Sequence, residues 1–189
     1  MIEEFGEASV KTSLFGFSCQ LNKDVEVFLH EKAIEFSKQY LSKTHLIYTP
    51  YKGENVLAGY FTLATKSLIV KRDVLSKTMS KKIVRFSTHD REAKQYVISA
   101  TLIGQLGKND ANGYGKLISG DDILAVACDQ IRFAQAIVGG RFVYLECEDH
   151  SKLREFYHRN GFFEFGRRNL DPDETDLQGS YLLQLLRYL

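Results

Sequence analysis

"SKLREFYHRNGF", residues 151–162, decides the reading of this chain. The stretch runs as a helix and breaks at Gly161, just before the aromatic pair Phe162-Phe163. Phe156 and Tyr157 stand side by side, four residues before that break. Neighbours on a helix point about 100° apart, so the two rings cannot both face one core. On one reading Phe156 is core and Tyr157 is half-buried with a wet hydroxyl. On the other, the hydroxyl is aimed at a substrate.

Working outward, "RFVYLECE" before this helix reads as a strand, and "FFEFG" and "SYLLQLLRYL" after it read as closing strands around the acidic loop "LDPDETDLQG". Further upstream, "QYVISATLIGQLG" is β-branched and predicts a buried strand. It leads through "KNDANGYGKLISG" into a long helix with Ile123, Leu124, Ala127, Ile131, Ala134 and Val138 on one face, stopped at Gly139-Gly140. "THLIYTPYKGENVLAGYFTLATKSLIV" reads as two strands turning around Lys52-Gly53-Glu54-Asn55. Asn22 caps a helix carrying Val25, Phe28, Leu29, Ala33, Phe36 and Tyr40. Residues 12–20, "TSLFGFSCQ", look like a first strand, and residues 73–93 like a short helix and a loop. This order predicts a mixed α/β sheet rather than a doubly wound parallel one.

The 189 residues suit one domain spanning 1–189, with no linker or repeat. A net charge of +1 argues against a surface coated with nucleic acid, although Lys71, Arg72, Lys81, Lys82 and Arg85 cluster in the middle of the chain. Cys19, Cys128 and Cys147 are odd in number and widely spaced, so no disulfide framework is indicated. No apolar run is long enough for a signal peptide or a membrane helix, which reads as cytoplasmic.

The strand, glycine-punctuated turn and helix start around Gly113, Gly115 and Gly120 make a candidate phosphate cradle. Against it, Ser119 with Asp122 resembles a capping box, which would satisfy the helix donors internally, and Asp121 and Asp122 repel an anion. No Gly-Lys-Ser/Thr follows, so the turn is not a Walker loop.

The order of parts resembles that of the GNAT N-acetyltransferases. "LREFYHRNGFFEFG" is similar to that family's A-x-x-x-Y-x-x-x-G-F segment, with Tyr157 as the tyrosine, Gly161-Phe162 as the terminal pair and Leu153 in place of the alanine. The likeness spans residues 96–166. "FSCQLNKDVEVFLHEKAIEF", through Phe17, Cys19, Phe28, Leu29 and Ala33, resembles the opening of the subgroup of toxins that acetylate charged tRNA. The family's Q/R-x-x-G-x-G/A loop has no clean counterpart. Counted back from the helix, Gly120 is in place behind Ile118 and Ser119; counted forward from the strand, Gly113-Tyr114-Gly115 falls near the motif. The arginine customary in toxin loops has no obvious counterpart, and His150 stands where an asparagine is usual.

The resemblance implies a GNAT-like sheet whose splayed strands hold acetyl-CoA. Gln105, Leu106, Gly107 and Lys108 would receive the pantetheine arm, and main-chain donors near Lys108 would polarise the thioester carbonyl. Ser119 and Gly120, with Gly113 and Gly115, would serve the pyrophosphate. A primary amine, that of charged tRNA or otherwise of a small molecule or a protein, would attack directly while Tyr157 protonates the departing thiolate as general acid. Glu146, Glu148 and His150 are candidate bases, each read first as a surface residue, and the sequence does not single one out. Cys147 reads as a buried strand residue, and the alternation of "ECEDH" along a strand argues against a metal site. No membrane partner is expected, and a homodimer is left open. The rival reading is a non-catalytic module for coenzyme A sensing or protein interaction, favoured by the degenerate loop.

Overall fold

The computed structural model describes residues 6–172, 177 and 179–189. Seven strands hydrogen-bond into one mixed sheet: β1 Lys43–Tyr51, β2 Glu54–Lys71, β3 Ser87–Asp90, β4 Gln95–Lys108, β5 Phe142–Glu148, β6 Phe163–Asn169 and β7 Tyr181–Tyr188. Their order is β1-β2-β4-β5-β7-β6, with β3 on β4. β4 and β5 pair in parallel, Ala100–Leu102 against Phe142–Tyr144, while β1–β2, β3–β4, β5–β7 and β6–β7 are antiparallel. Among the described residues no helix is long and apolar enough to cross a membrane. The chain divides into two compact units, residues 1–64 with 103–127 and residues 65–102 with 128–189.

In the first unit, β1 and β2 form a hairpin turned by Lys52 and Gly53, both in the left-handed region at φ 51° and 87°. Two consecutive positive φ values match the strands' right-handed twist, and glycine takes the second without strain. The helix α1 (Glu7–Phe15) buries Val10 and Leu14, one turn apart. It replaces the first strand expected over 12–20. Only Phe17 and Cys19 beyond it keep the strand-like alternation. Their segment pairs with side chains rather than with a ladder: Ser18 N donates to Asn109 Oδ1 (3.0 Å), Cys19 N to Glu26 Oε2 (2.9 Å) and Gln20 N to Asp110 Oδ2 (2.9 Å).

The next helix, α2 (23–38), starts where Asn22 Oδ1 accepts from the amides of Asp24 (3.0 Å) and Val25 (3.4 Å). It then passes through a π-helical turn, Phe28–Lys32, before resuming at Ala33–Lys38. The buried Tyr60 hydroxyl donates to the carbonyl of Val25. A side chain bonded into the helical ladder is a recognised cause of such a slip in register. The core of this unit gathers Phe17, Val25, Phe28, Leu29 and Tyr60. Tyr40, expected on the helix face, lies past its end and is exposed.

In the second unit, α3 (Lys77–Val84) is capped by Ser76, and β3 occupies part of the stretch expected as loop. Its core joins Val70, Ile83, Ile98, Phe142 and Tyr144. The long helix α4 (Gly120–Val138) straddles the two units and ends at Gly139-Gly140, both at positive φ. Its apolar face is buried only as far as Ile131; Ala134 and Val138, expected on that face, are exposed. Helix α5 (Ser151–Arg159) ends in left-handed Gly161 (φ 81°), whose amide donates to His158 O while Phe162 N reaches Tyr157 O. Part of the acidic loop "LDPDETDLQG" (173–176 and 178) lies outside the described residues.

Two stability predictions follow from the 16–20 segment. Asn109→Ala leaves two amides and two carbonyls of the backbone without their partner, one of them the buried Leu57 carbonyl, and should cost about 2–4 kcal/mol in denaturant unfolding. Glu26 is held ionised by Lys23 and then by the Cys19 amide, which lowers its carboxyl pKa. A lowered folded-state pKa gives stability that is present above the unfolded carboxylate range and lost as pH falls through the folded value. The stability of Glu26→Gln measured from pH 7 down to pH 3 should therefore fall less steeply than that of the parent.

Candidate active site

The residues that the sequence assigns to the cofactor all lie in the first unit, and Tyr157 lies in the second. The end of β4 is the centre of the first group. The Gln105 amide donates to the hydroxyl of buried Thr62 (2.9 Å), and the Gln105 side chain donates to Asp24 Oδ2 (2.8 Å). Leu106 and Lys108 are half-buried and Gly107 is buried. A Cβ on Gly107 would lie 2.5 Å from Val25 Cγ1, so glycine there is what lets α2 close against the strand.

β4 is followed by Asn109, a residue that the sequence pattern does not single out. Its Oδ1 accepts from Ser18 N and Ala111 N (both 3.0 Å), and its Nδ2 donates to Leu57 O (2.8 Å) and Gly16 O (3.4 Å). Its own amide donates to Ala58 O (2.8 Å). The next residue, Asp110, donates its amide to Ser18 O (2.7 Å) and accepts from Gln20 N. The one local signal was the Asn-Asp pair directly after a strand, a combination suited to side-chain bonds with the backbone.

The glycine turn then forms a short 3-10 segment, Ala111–Lys116, with Asn112 and Gly113 both left-handed. Gly113 faces open space, whereas a Cβ on Gly115 would meet Asp110 Oδ1 at 2.7 Å. Gly115 thus has a reason within the loop itself. Tyr114 packs edge-on against Tyr51 of the hairpin. At the start of α4 the capping box is real. Ser119 N and Oγ both donate to Asp122 Oδ2 (2.9 and 2.6 Å), Asp122 N donates back to Ser119 Oγ (3.1 Å), and the carboxyl is held below its usual range by those bonds. Gly120 follows, half-buried. The cradle expected at Ser119-Gly120 therefore shares its Ser119 amide with an internal carboxylate.

In the second unit, Phe156 and Tyr157 are both half-buried, so Phe156 is not the core residue of the simpler reading. The Tyr157 ring packs edge-on against Phe156 (4.9 Å between centroids) and Phe162 (5.7 Å). Its hydroxyl has no hydrogen-bond partner among the described residues, and burial, followed by the nearby Cys147 sulfur, pushes the phenol pKa well above its ordinary value. Cys147 is buried on β5, and burial, then the charge of Glu164, pushes its thiol up to about 12. It is therefore a protonated packing residue at neutral pH.

Of the candidate bases, Glu146 is engaged by Arg168, through Nε (3.0 and 2.9 Å) and Nη2 (2.9 Å), and by the Tyr144 hydroxyl. His150 caps α5, its Nδ1 accepting from Lys152 N (3.2 Å). Glu148 is half-buried on β5. The cationic residues Lys71, Arg72, Lys81, Lys82 and Arg85 are all exposed, with Lys82 lying 4.6 Å from the centre of the Tyr188 ring.

No family model matches the chain, and no curated protein sequence does. Solved structures do. AtaT complexed with acetyl-methionyl-tRNAfMet matches at a TM-score of 0.61 and 20% identity, over 90% of this chain and 85% of its own. A tyrosine-to-phenylalanine variant of KacT matches at 0.60 and 21%, over 90% and 85%. AtaTR bound with AcCoA matches at 0.56 and 17%, over 93% and 84%. The fold is that of these proteins: an open mixed sheet flanked by helices, as the GNAT resemblance implies.

The buried thiol makes a simple check of this geometry. Cys147 in the native protein should resist alkylation at pH 8 and react only on unfolding, as read by mass spectrometry of the labelled peptide.

Proposed function

We propose that the chain is an acetyl-CoA-dependent N-acetyltransferase that transfers an acetyl group to a primary amine by direct attack, with the amino group of charged tRNA as its acceptor. The 189 residues act as one domain on this reading. The observation that carries it is Tyr157. Its phenol has no competing hydrogen bond among the described residues, and it stands one turn before the glycine that stops its helix, in a fold shared with AtaT and KacT. AtaTR has been solved with AcCoA and AtaT with an acetylated methionyl-tRNA, which supports the same cosubstrate and acceptor class here.

Acetyl-CoA supplies the activated acetyl group. Leu106, Gly107 and Lys108 offer main-chain groups to the pantetheine arm and the thioester carbonyl, on a strand end that Asn109 holds rigid. Gly113, whose Cα faces open space, and Gly120 offer close approach to phosphate, with Ser119 retained for the cap. Gly115 belongs to this loop through its fit against Asp110. Tyr157 gives its proton to the thiolate as the amide forms, and the proton shed by the amine nitrogen passes to solvent, from which the tyrosinate is reprotonated.

Charge distribution supports a polyanionic acceptor. Residues 65–102 contain nine Lys or Arg and three acidic residues, a net +6, so the rest of the chain nets −5 against the overall +1. That concentration answers the objection that a near-neutral protein lacks a surface for phosphates. The capping box favours a second reading, a non-catalytic module, because the carboxylates of Asp121 and Asp122 oppose a phosphate at the start of α4.

One experiment separates these. Tyr157→Phe keeps the ring that packs on Phe156 and Phe162, so it should bind acetyl-CoA in calorimetry as the parent does. Its turnover on bulk charged tRNA should fall about 10²–10⁴-fold, and the parent's rate should drop steeply with added salt. An unchanged rate makes Tyr157 a packing residue, and binding by the parent without any turnover returns the non-catalytic module.

A further inference from the structure

The acetyltransferase reading leaves the acceptor's cationic amine without a partner, and the pairing of Gln105 with a residue on α2 supplies one. Gln105 and Gly107 share a face of β4, two residues apart. That face is closed tightly against α2, since a Cβ on Gly107 would touch Val25. On α2, one residue before Val25, Asp24 is half-buried, and its Oδ2 accepts from Gln105 Nε2 at 2.8 Å.

The two carboxylates in the first turn of this helix are not equivalent. Glu26 is fully used by Lys23, the Ser18 hydroxyl and the Cys19 amide. Asp24 has no cation within ion-pair distance among the described residues, and its side chain is oriented by a neutral amide alone. Its charge reaches the buried Tyr60 phenol, which burial and then Asp24 push above its ordinary pKa. A half-buried carboxylate with a fixed orientation and no counter-charge is placed to accept charge-assisted hydrogen bonds from a bound cation.

Resting on the acetyltransferase reading, we infer that Asp24 binds the acceptor's ammonium group and that Gln105 positions its carboxylate. The pair lies three residues before Lys108, on the strand proposed to hold the thioester, so an amine gathered there is within a few residues of the acyl carbonyl along β4. The role is selection and orientation of the amine before it loses its proton.

Asp24→Asn tests this, because the amide keeps the shape and can still accept from Gln105 while removing the charge. Parent and variant are given radiolabelled acetyl-CoA with bulk aminoacylated tRNA and, in parallel, a mixture of small primary amines. The expected result is a KM for the accepted amine raised about tenfold, the value of one charged hydrogen bond. The Kd for acetyl-CoA and the inhibition constant of the acetylated, uncharged product should be unchanged, and Asp24→Glu should recover part of the loss. An unchanged KM overturns the inference, as does an equal weakening of product or acetyl-CoA binding, which would mark Asp24 as structural. A parent that acetylates neither acceptor class removes the acetyltransferase reading itself, and this inference with it.

Discussion

The side chain of Asn109 is the joint on which the first unit depends. A primary amide can accept twice and donate twice, and here it satisfies Ser18, Ala111, Leu57 and Gly16 together in a buried position. Those four partners belong to the N-terminal segment, to β2 and to the glycine turn. One residue therefore fixes where β4 ends, where the turn begins and how the 16–20 segment lies. In a low-dielectric interior such a network is stabilising only when complete, because each lost partner leaves a backbone group without water. The strand end proposed to meet the thioester inherits its rigidity from this joint.

The same network explains the largest departure from the sequence reading. Phe17 and Cys19 alternate as a strand would, and a local pattern has no way to see that their backbone partners are Asn109, Glu26 and Asp110. Where partners are local, the reading held: Asn22 caps α2, Lys52-Gly53 turns the hairpin, and Gly139 and Gly161 stop their helices. The π-helical turn at Phe28–Lys32 leaves no mark in the local pattern, and the Tyr60 hydroxyl that bonds Val25 O beside it comes from another element. Ala134 and Val138 continue the period of α4 correctly but find no core to cover them. Periodicity tells which residues share a face, not how far along a helix that face is buried.

The candidate site divides in the same way. Tyr157 and Gly161 were legible because the helix, its aromatic and its stop are contiguous. The glycine turn was ambiguous because each glycine answers a different demand: Gly113 a left-handed backbone, Gly115 the close approach of Asp110. Among the carboxylates, sequence offered Glu146, Glu148 and His150 on equal terms. The Arg168 fork and the cap of α5 separate two of them from base chemistry, and both depend on side-chain geometry.

Burial then narrows the chemistry open to the chain. The thiols of Cys19, Cys128 and Cys147 are each raised, desolvation first, so none is a ready thiolate at neutral pH. The phenols of Tyr60 and Tyr144 are raised by burial too, but each is tied to a fixed acceptor, Val25 O and Glu146. Tyr157 is raised by the same cause and is tied to nothing among the described residues. A chain whose cysteines are kept neutral is poorly equipped to form an acyl-enzyme on sulfur, whereas a protonated phenol with an uncommitted hydroxyl is equipped to supply a proton. On the proposed acetyltransferase reading the nucleophile comes from the acceptor, and the protein's part is to hold two substrates and to protonate what leaves.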